Sequence, residues 1–498
     1  MARGISFLAV ALCLPAVPAL AAFAQTSADP TPTASRVSDV YVGTSKGVYL
    51  YHADVNGKLS LVSGSPFSIV GTAIGSNHHY FLSYGLTYVH AYPVASSGAI
   101  KTQVSQIYTP HYSGSECGTI KGGVLDHSGQ VAYAQLYGNQ QGGEQGPCAA
   151  LQSFKLSSSG GLSFLGSTQF ATELQTGIGG YATLISLSGN GNYAYSASYD
   201  HECNLITWQL KRESSGAMLL DSYGILKVPS TPADWRWYPW VVTADPANHM
   251  AVALGAESGS FGPCGDVAHL TQLAGFTVTS DGNLSTTNPP DHMPAPQVNP
   301  QILSVSNSGQ FLAVGGNATH FGEEGSQTPG LQIFHFNGAN PIVLYSNTLI
   351  TAPIDEIHWD NTDHVYALSN ANHKLYVYFV TSKSITAAPG SPYSLPSTPT
   401  ALSVVPLLCS APASDGVHIC DPSNGSSVGS QVLVAASGKI SGTLDRMELW
   451  VDGVKRYTGR STQLSTTVSL RAGNHRFGVF AVNTAGQKWN NVVYATVK

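Results

Sequence analysis

The chain has 498 residues, more than one ordinary hydrophobic core serves, so more than one domain is expected. Glycine (52) and tyrosine (24) are plentiful and only 10% of residues are Asp, Glu, Lys or Arg, a mix that suits β-structure with tight turns and excludes a mainly helical protein. A net charge of −6 gives no electrostatic footprint for nucleic acid.

At the N-terminus, "MARG" supplies a positive charge and "ISFLAVALCLPAVPALAAF" an apolar run, with small residues at −3 and −1 before Gln25. The expectation is a secretory signal over residues 1–24, cleaved after Ala24, and a secreted or periplasmic protein. Cys13 follows leucine, where lipid attachment needs a small residue, and no later run is apolar enough to span a bilayer. Residues 25–35 read as a disordered lead-in.

From residue 36 one pattern recurs: polar turn, apolar strand, variable loop, apolar strand, glycine turn, weaker strand. Copies begin at Asp39, Ser76, Asp126, Leu187, Asp245, Ser306 and Asp360. In "NLITWQL", Leu205, Thr207 and Gln209 alternate with Ile206, Trp208 and Leu210, so both faces are fairly apolar, as in a sheet packed between two others. Seven such units predict an all-β fold with a seven-bladed β-propeller over 36–408. A β-sandwich is the competing architecture, and it leaves the matched copies unexplained.

The endings "GKLSLVSGSPF" and "KSITAAPGSPY", with "D…SG…AYA" strand starts, resemble the secreted seven-bladed propellers of the lactonase-like (6-phosphogluconolactonase-like) family across residues 36–407. That resemblance implies the fold and points to a possible lactone-hydrolysing activity. No motif carries the family's active site over residue by residue, and a propeller alone does not specify chemistry.

The repeat ends near Leu407. Residues 409–420 read as a linker, and 421–498 as an immunoglobulin-like β-sandwich, with "WVDGVKRY" as a hairpin turning at Asp-Gly. This part resembles bacterial Ig-like domains through "VDG" and "LRAGNHRFGVFAVNTAGQ", with Asn483 where aspartate is usual. The tail from residue 409 holds 9 Lys/Arg against 5 Asp/Glu, whereas residues 25–408 hold 12 against 23. The basic tail is read as a spacer or packing module, with adhesion to an anionic surface as the alternative.

Six cysteines follow the signal: Cys117, Cys148, Cys203, Cys264, Cys409 and Cys420. In an oxidising compartment an even number suggests disulfides, and spacing gives no zinc pattern. Six cysteines allow fifteen pairings; loop position favours Cys117 with Cys148 and Cys203 with Cys264 as clips, with a free reactive cysteine as the alternative, and Cys409–Cys420 is the simplest staple at the domain junction.

In a propeller the B–C and D–A loops share one face. The long insertions "YGNQQGGEQGPCAA", "DHEC", "SGSFGPCGDVAH" and "NATHFGEEGSQTPG" all fall on that face, while the opposite turns are short. Decorated loops on a rigid scaffold are where binding is usually placed. Residues just before the innermost strands should lie nearest the channel mouth, which selects Glu116, Arg236, Trp237 and Glu356, with His111 and His358 next, although His358, beside Trp359, is equally placed to point into the core. For lactone hydrolysis His111, Glu116 and Glu356 are the acid–base candidates and Arg236 the electrostatic partner. Trp235, Trp237, His201, Glu202 and His320 are the ligand-contact candidates; the tryptophans suit stacking on a sugar ring or, alternatively, plugging space between blades. "DHEC" and "HFGEEG" could hold a divalent cation such as calcium, and no other cofactor is indicated. The leading expectation is a secreted propeller that presents its loops to a carbohydrate, cell-wall or protein ligand. The alternative is a hydrolase opening a sugar-derived lactone by general-base or metal-assisted water attack.

Overall fold

The computed structural model describes residues 36–69, 71, 73–95, 97–109, 119–126, 129–138, 148–171, 183–199, 205–224, 226–231, 235–258, 270–318, 320–322, 325–407, 409, 412, 414–428, 430–459 and 462–498. Residues 36–406 are all β apart from one short 3-10 turn at Pro290–His292. Among the described residues they form seven antiparallel meanders of at least four strands, here called blades 1 to 7, each with strands A to D in that spatial order. Strands A are Pro399–Pro406 (blade 1), Ala73–Ser76, Thr119–Leu125, Ser186–Leu187, Trp235–Ala244, Ile302–Val305 and Glu356–Trp359 (blade 7). Neighbouring strands A touch from blade 1 to 2 to 3, and again from blade 4 through 5, 6 and 7 back to 1, while strands D of blades 3 and 4 touch each other, which closes the ring around a central channel. Blade 1 takes strands B to D from the start of the repeat and strand A from its end. The chain thereby closes the ring with paired backbone, leaving no unpaired edge there.

The recurrent "D-x-S-G" type turns have a common mechanism. Asp126, Ser188, Asp245, Ser306 and Asp360 end strand A. The side chains of Asp126, Ser188 and Ser306 each accept a hydrogen bond from the first residue of strand B, and Asp245 and Asp360 do the same through His249 and His364. The residue three on is Gly129, Gly191, Asn248, Gly309 or Asp363, with φ between +60° and +70°. Only glycine and the short polar residues adopt that conformation at low cost. Successive blades are then tied by tyrosines on strand B. The hydroxyls of Tyr41, Tyr133 and Tyr195 donate to the carbonyls of Gly98, Gly216 and Gly282 in the C–D turn of the next blade, at 2.8, 2.9 and 2.6 Å. Between blades the core is continuous: Ile206, Trp208 and Leu210 pack towards blade 3, while Thr207 and Gln209 on the other face are also buried.

Residues 416–498 form two packed sheets around Met447, Leu449, Phe477 and Val479, all fully buried. Strands Leu444–Val451 and Val454–Gly459 make the hairpin expected from "VDG". Asp452 and Gly453 have φ of 52° and 80°, the two positive values a type I′ turn requires. Cys409 and Cys420 are joined in a disulfide with Cα atoms 5.5 Å apart. Cys420, however, lies in a strand of the sandwich, Gly416–Asp421, which pairs with Gln431–Lys439. The staple therefore ties the linker to the first strand of the sandwich, which begins earlier than residue 421. Polar alternation in "GVHICD" was hidden beside the small residues that precede it. No helix among the described residues is long and apolar enough to cross a membrane.

Candidate functional site

The described chemistry of the channel centres on strand A of blade 7. Ile357 and Trp359 turn into the core shared with blade 6. Period-2 alternation then sends Glu356 and His358 to the other side, where their side chains stay 31% and 43% open. His358 is thus a channel residue and not a core one. Glu356 Oε2 accepts the backbone N–H of Leu402, on strand A of blade 1, at 2.5 Å. His358 Nε2 stands 3.9 Å from the same oxygen. Burial pushes the Glu356 carboxyl up to about 8, with the neighbouring Asp355 charge adding to the effect and the Leu402 N–H opposing it. Burial pushes the His358 imidazole down to about 4. Both shifts favour the uncharged forms, a protonated acid beside a neutral imidazole, which offer one hydrogen-bond donor and one acceptor.

The strand start is braced from two sides. Asp355 accepts from the Asn317 amide at 3.0 Å and from the Asn370 backbone N–H at 2.7 Å, so it links the B–C loops of blades 6 and 7. Gln301 in turn accepts from the Asn317 backbone at 2.8 Å. These bonds fix Glu356 at the loop-bearing end of the channel.

Three innermost strands carry register irregularities near that end. The register skips Lys121 between Ile120 and Gly122, Trp240 between Pro239 and Val241, and Thr400 between Ala401 and Pro399. Bulges re-aim side chains and are common beside active sites. Lys121 is exposed, with its ammonium 5.3 Å from the Tyr137 ring centre. Sequence reasoning passed over Lys121 because a bulge leaves no mark in hydrophobic alternation.

The remaining expected residues fall as follows. His111, Glu116, Cys117, His201, Glu202, Cys203 and Cys264 lie outside the described residues, as do the loops considered for calcium apart from His320–Gly322 and Gly325. Cys148 opens strand C of blade 3, and His320 lies on a small hairpin, His320–Gly322 with Gly325–Gln327. Trp235 and Arg236 are on strand A of blade 5, paired with Ser258 and Glu257, so "WRWYPW" is strand and not connecting loop. Trp237 corrects the stacking expectation. It is 3% exposed, packs in the core between blades 4 and 5, and its indole N–H donates to Thr231 Oγ1 at 3.0 Å. The plugging alternative holds for this ring, because an aromatic in alternation on an inner strand is drawn between sheets. Cys409, His418 and Cys420 cluster closely, but the two sulfurs are bonded to each other and are not free thiolates.

At the opposite end, the A–B turns of blades 2 to 7 face the Ig-like domain across a cleft of about 1070 Å³. Asn77, Asp126, Asp245 and Asn361 line it from the propeller; Asp421, Asn424 and Val428 line it from the sandwich. The Ig-like domain thus sits over the A–B end of the channel.

Comparison with known proteins agrees with this architecture. Residues 416–479 match the bacterial Ig domain family. The propeller shares its fold with 6-phosphogluconolactonase-like proteins. A putative 6-phosphogluconolactonase from Bacteroides fragilis aligns with a TM-score of 0.53 at 12% identity, over 76% of this chain and 100% of that one. The periplasmic gluconolactonase of Pseudomonas aeruginosa aligns with a TM-score of 0.51 at 13% identity, over 74% and 99%. A second putative 6-phosphogluconolactonase, from Bacteroides uniformis, gives 0.53 at 11%, over 74% and 100%. No curated protein matches the sequence. Identities this low establish a shared fold and leave activity to the site itself.

Proposed function

We propose that this protein is a binding propeller whose channel takes a small, uncharged, polyhydroxylated ligand such as a sugar or sugar-derived lactone. The observation that carries the reading is the Glu356–His358 pair, partly open to the channel, with both groups shifted towards their uncharged forms. Such a pair offers one donor and one acceptor to a hydroxyl or carbonyl, the arrangement that orients a neutral ligand in a concave site. A charged ligand would have to give up its hydration without a countercharge from this pair.

Hydrolysis of a lactone is the second reading, favoured by the same pair. Glu356, with its carboxyl near 8, can give a proton to the ring oxygen as the acyl C–O bond breaks. His358 would accept a proton from the attacking water. An imidazole pushed down to about 4 is a weak base at neutral pH, and this ranks binding above turnover.

The test is titration calorimetry of the full protein with aldonolactones and neutral oligosaccharides at pH 6.5, alongside proton-release assays on the lactones. Binding that weakens about tenfold or more in Glu356→Gln or His358→Ala, without turnover, is the expected result. Since the raised carboxyl keeps its proton up to about 8, affinity should fall as pH rises through that value. Saturable turnover lost in both variants would establish the hydrolase. Absence of both binding and turnover would remove the channel as the site.

A further inference from the structure

The larger sheet of the Ig-like domain runs in the order Ser426–Val428, Lys488–Val497, Gly473–Asn483, Leu444–Val451 and Val454–Gly459. Met447, Leu449, Phe477 and Val479 point into the sandwich core. Alternation therefore sends Arg446, Glu448, Trp450, Arg476, Gly478 and Phe480 to the outer face. The interdomain cleft is lined from the sandwich by other stretches, residues 418–421 and 426–428 among them.

Glu448 organises this outer face. Its carboxylate accepts hydrogen bonds from Arg446 Nε at 2.8 Å, Lys455 Nζ at 2.7 Å and Trp450 Nε1 at 2.9 Å. The Lys455 ammonium is thereby held 5.2 Å from the centre of the Trp450 ring. Phe480 meets the same ring edge to face, with centroids 6.5 Å apart. Beside them Gly478 pairs with Trp450 on one side and Val492 on the other. A methyl group on Gly478 would find Phe480 Cε2 at 3.5 Å, Val492 Cγ2 at 3.8 Å and Arg476 Nη1 at 4.0 Å. The glycine thus floors a shallow hollow rimmed by aromatic carbon and a guanidinium. Tyr494, the cross-strand partner of Arg476, is 56% exposed at its edge.

Charge and length narrow what fits. Arg446, Lys455, Arg476 and Lys488 stand on this sheet against Glu448 and Asp445, and the two carboxylates are engaged by Arg446 and Lys455. Arg476 and Lys488 have no carboxylate partner among the described residues, so the face carries an excess of positive charge that favours an anionic ligand. From Arg476 to Val482, which pairs with Lys488, the face extends six residues along one strand, roughly 20 Å. A single sugar ring cannot reach both cations; a chain of several can. Trp450 and Phe480 are half-buried around a depression and do not protrude, a shape that receives a chain laid across the sheet and not a bilayer.

We propose that the outer face of this sheet binds an acidic polysaccharide, a chain of sugar rings that carry carboxylates. The apolar C–H face of a sugar ring packs on aromatic carbon, while the Arg476 fork takes a ring carboxylate through paired N–H groups. Lys488, and the positive end of the Glu448 network, meet carboxylates further along the chain. The site is separate from the channel, and its ligand is charged where the channel's is neutral.

Calorimetric titration of the full protein with polygalacturonate at pH 7 is the test, with circular dichroism to verify the folding of each variant. The native protein should bind, and more weakly as salt is raised. Arg476→Gln should weaken binding about tenfold or more through loss of a charge-assisted contact. Tyr494→Ala should weaken it about two- to tenfold through loss of the ring. Both side chains are exposed, so both variants should fold as the native protein does. Polyglutamate, which has the carboxylates without the rings, should bind less tightly than polygalacturonate. Dextran, which has the rings without the charge, should bind native protein and Arg476→Gln alike, which reads any uptake by the channel separately. No binding of polygalacturonate, an unchanged affinity in either variant, or polyglutamate binding as tightly would overturn the proposal. Tighter capture by phosphatidylserine vesicles than by the polymer, or self-association that Arg476→Gln abolishes, would overturn it in favour of a membrane or a second copy of the chain.

Discussion

Asp360 shows how much a single buried carboxylate can organise. It is wholly buried at the A–B turn of blade 7. One oxygen accepts the backbone N–H groups of Thr362 and His364; the other accepts the Tyr366 hydroxyl at 2.9 Å and stands 3.0 Å from His364 Nδ1. Ser38, from the opening strand of blade 1, lies 3.1 Å from the Tyr366 hydroxyl, so the network spans the seam where the ring closes. Burial alone would raise this carboxyl; the hydrogen bond and charge of His364 outweigh it and hold it below its ordinary 3.8. A depressed carboxyl stabilises above its unfolded value and loses that contribution as pH falls through the folded one. Asp360→Ala should cost about 3 kcal/mol in chemical denaturation at pH 7, and the difference from native should shrink below about pH 3.8. At this scale the sequence was partly readable. Glu356 and His358 could be chosen because position before or within an inner strand follows from the repeat. Trp237 could not be placed, because a tryptophan one residue along an inner strand serves equally as platform or plug until register is known.

Elements in this fold are joined by close approach as much as by hydrophobic burial. Gly123, on strand A of blade 3, faces the fully buried Tyr84 of blade 2, and a methyl group there would come within 2.2 Å of the ring. Gly123→Ala should destabilise by about 1–3 kcal/mol, read as a shift in denaturation midpoint, because neither the ring nor the inner strand has room to yield. The tyrosine ties give a gentler test. Tyr195→Phe keeps the ring and removes only the bond to Gly282 O, for an expected loss of about 1 kcal/mol, and Tyr133→Phe should add a similar, nearly independent loss through Gly216. If both substitutions are silent, the blades are held by packing alone. The meanders themselves were legible, since turn chemistry and alternation recur with each copy. The closing strand Pro399–Pro406 was not, because "PTALSVVP" carries no turn signature and its partner lies at the other end of the chain.

For the molecule as a whole, that long-range pairing decides what can be removed. Strand A of blade 1 pairs from Ser38–Pro406 to Thr44–Pro399 and lines the channel beside Glu356. The segment that follows it is what seats the Ig-like domain over the A–B mouth. The two roles separate by length. A chain ending at Thr398 loses the closing strand, exposes the edge of Arg36–Thr44, and leaves Glu356 without the Leu402 N–H. Such an edge invites pairing with other chains. A chain ending at Leu407 retains every strand of the ring and lacks only the cap. The expected outcome is aggregation or loss of cooperative unfolding for the first, and a folded, cooperative propeller for the second, read by size-exclusion chromatography and thermal melting. Equal behaviour of the two chains would mean that inter-blade packing and the Asp360 seam close the ring unaided. A folded second chain that keeps ligand affinity would further separate recognition, at the loop-bearing mouth, from the capping done at the other.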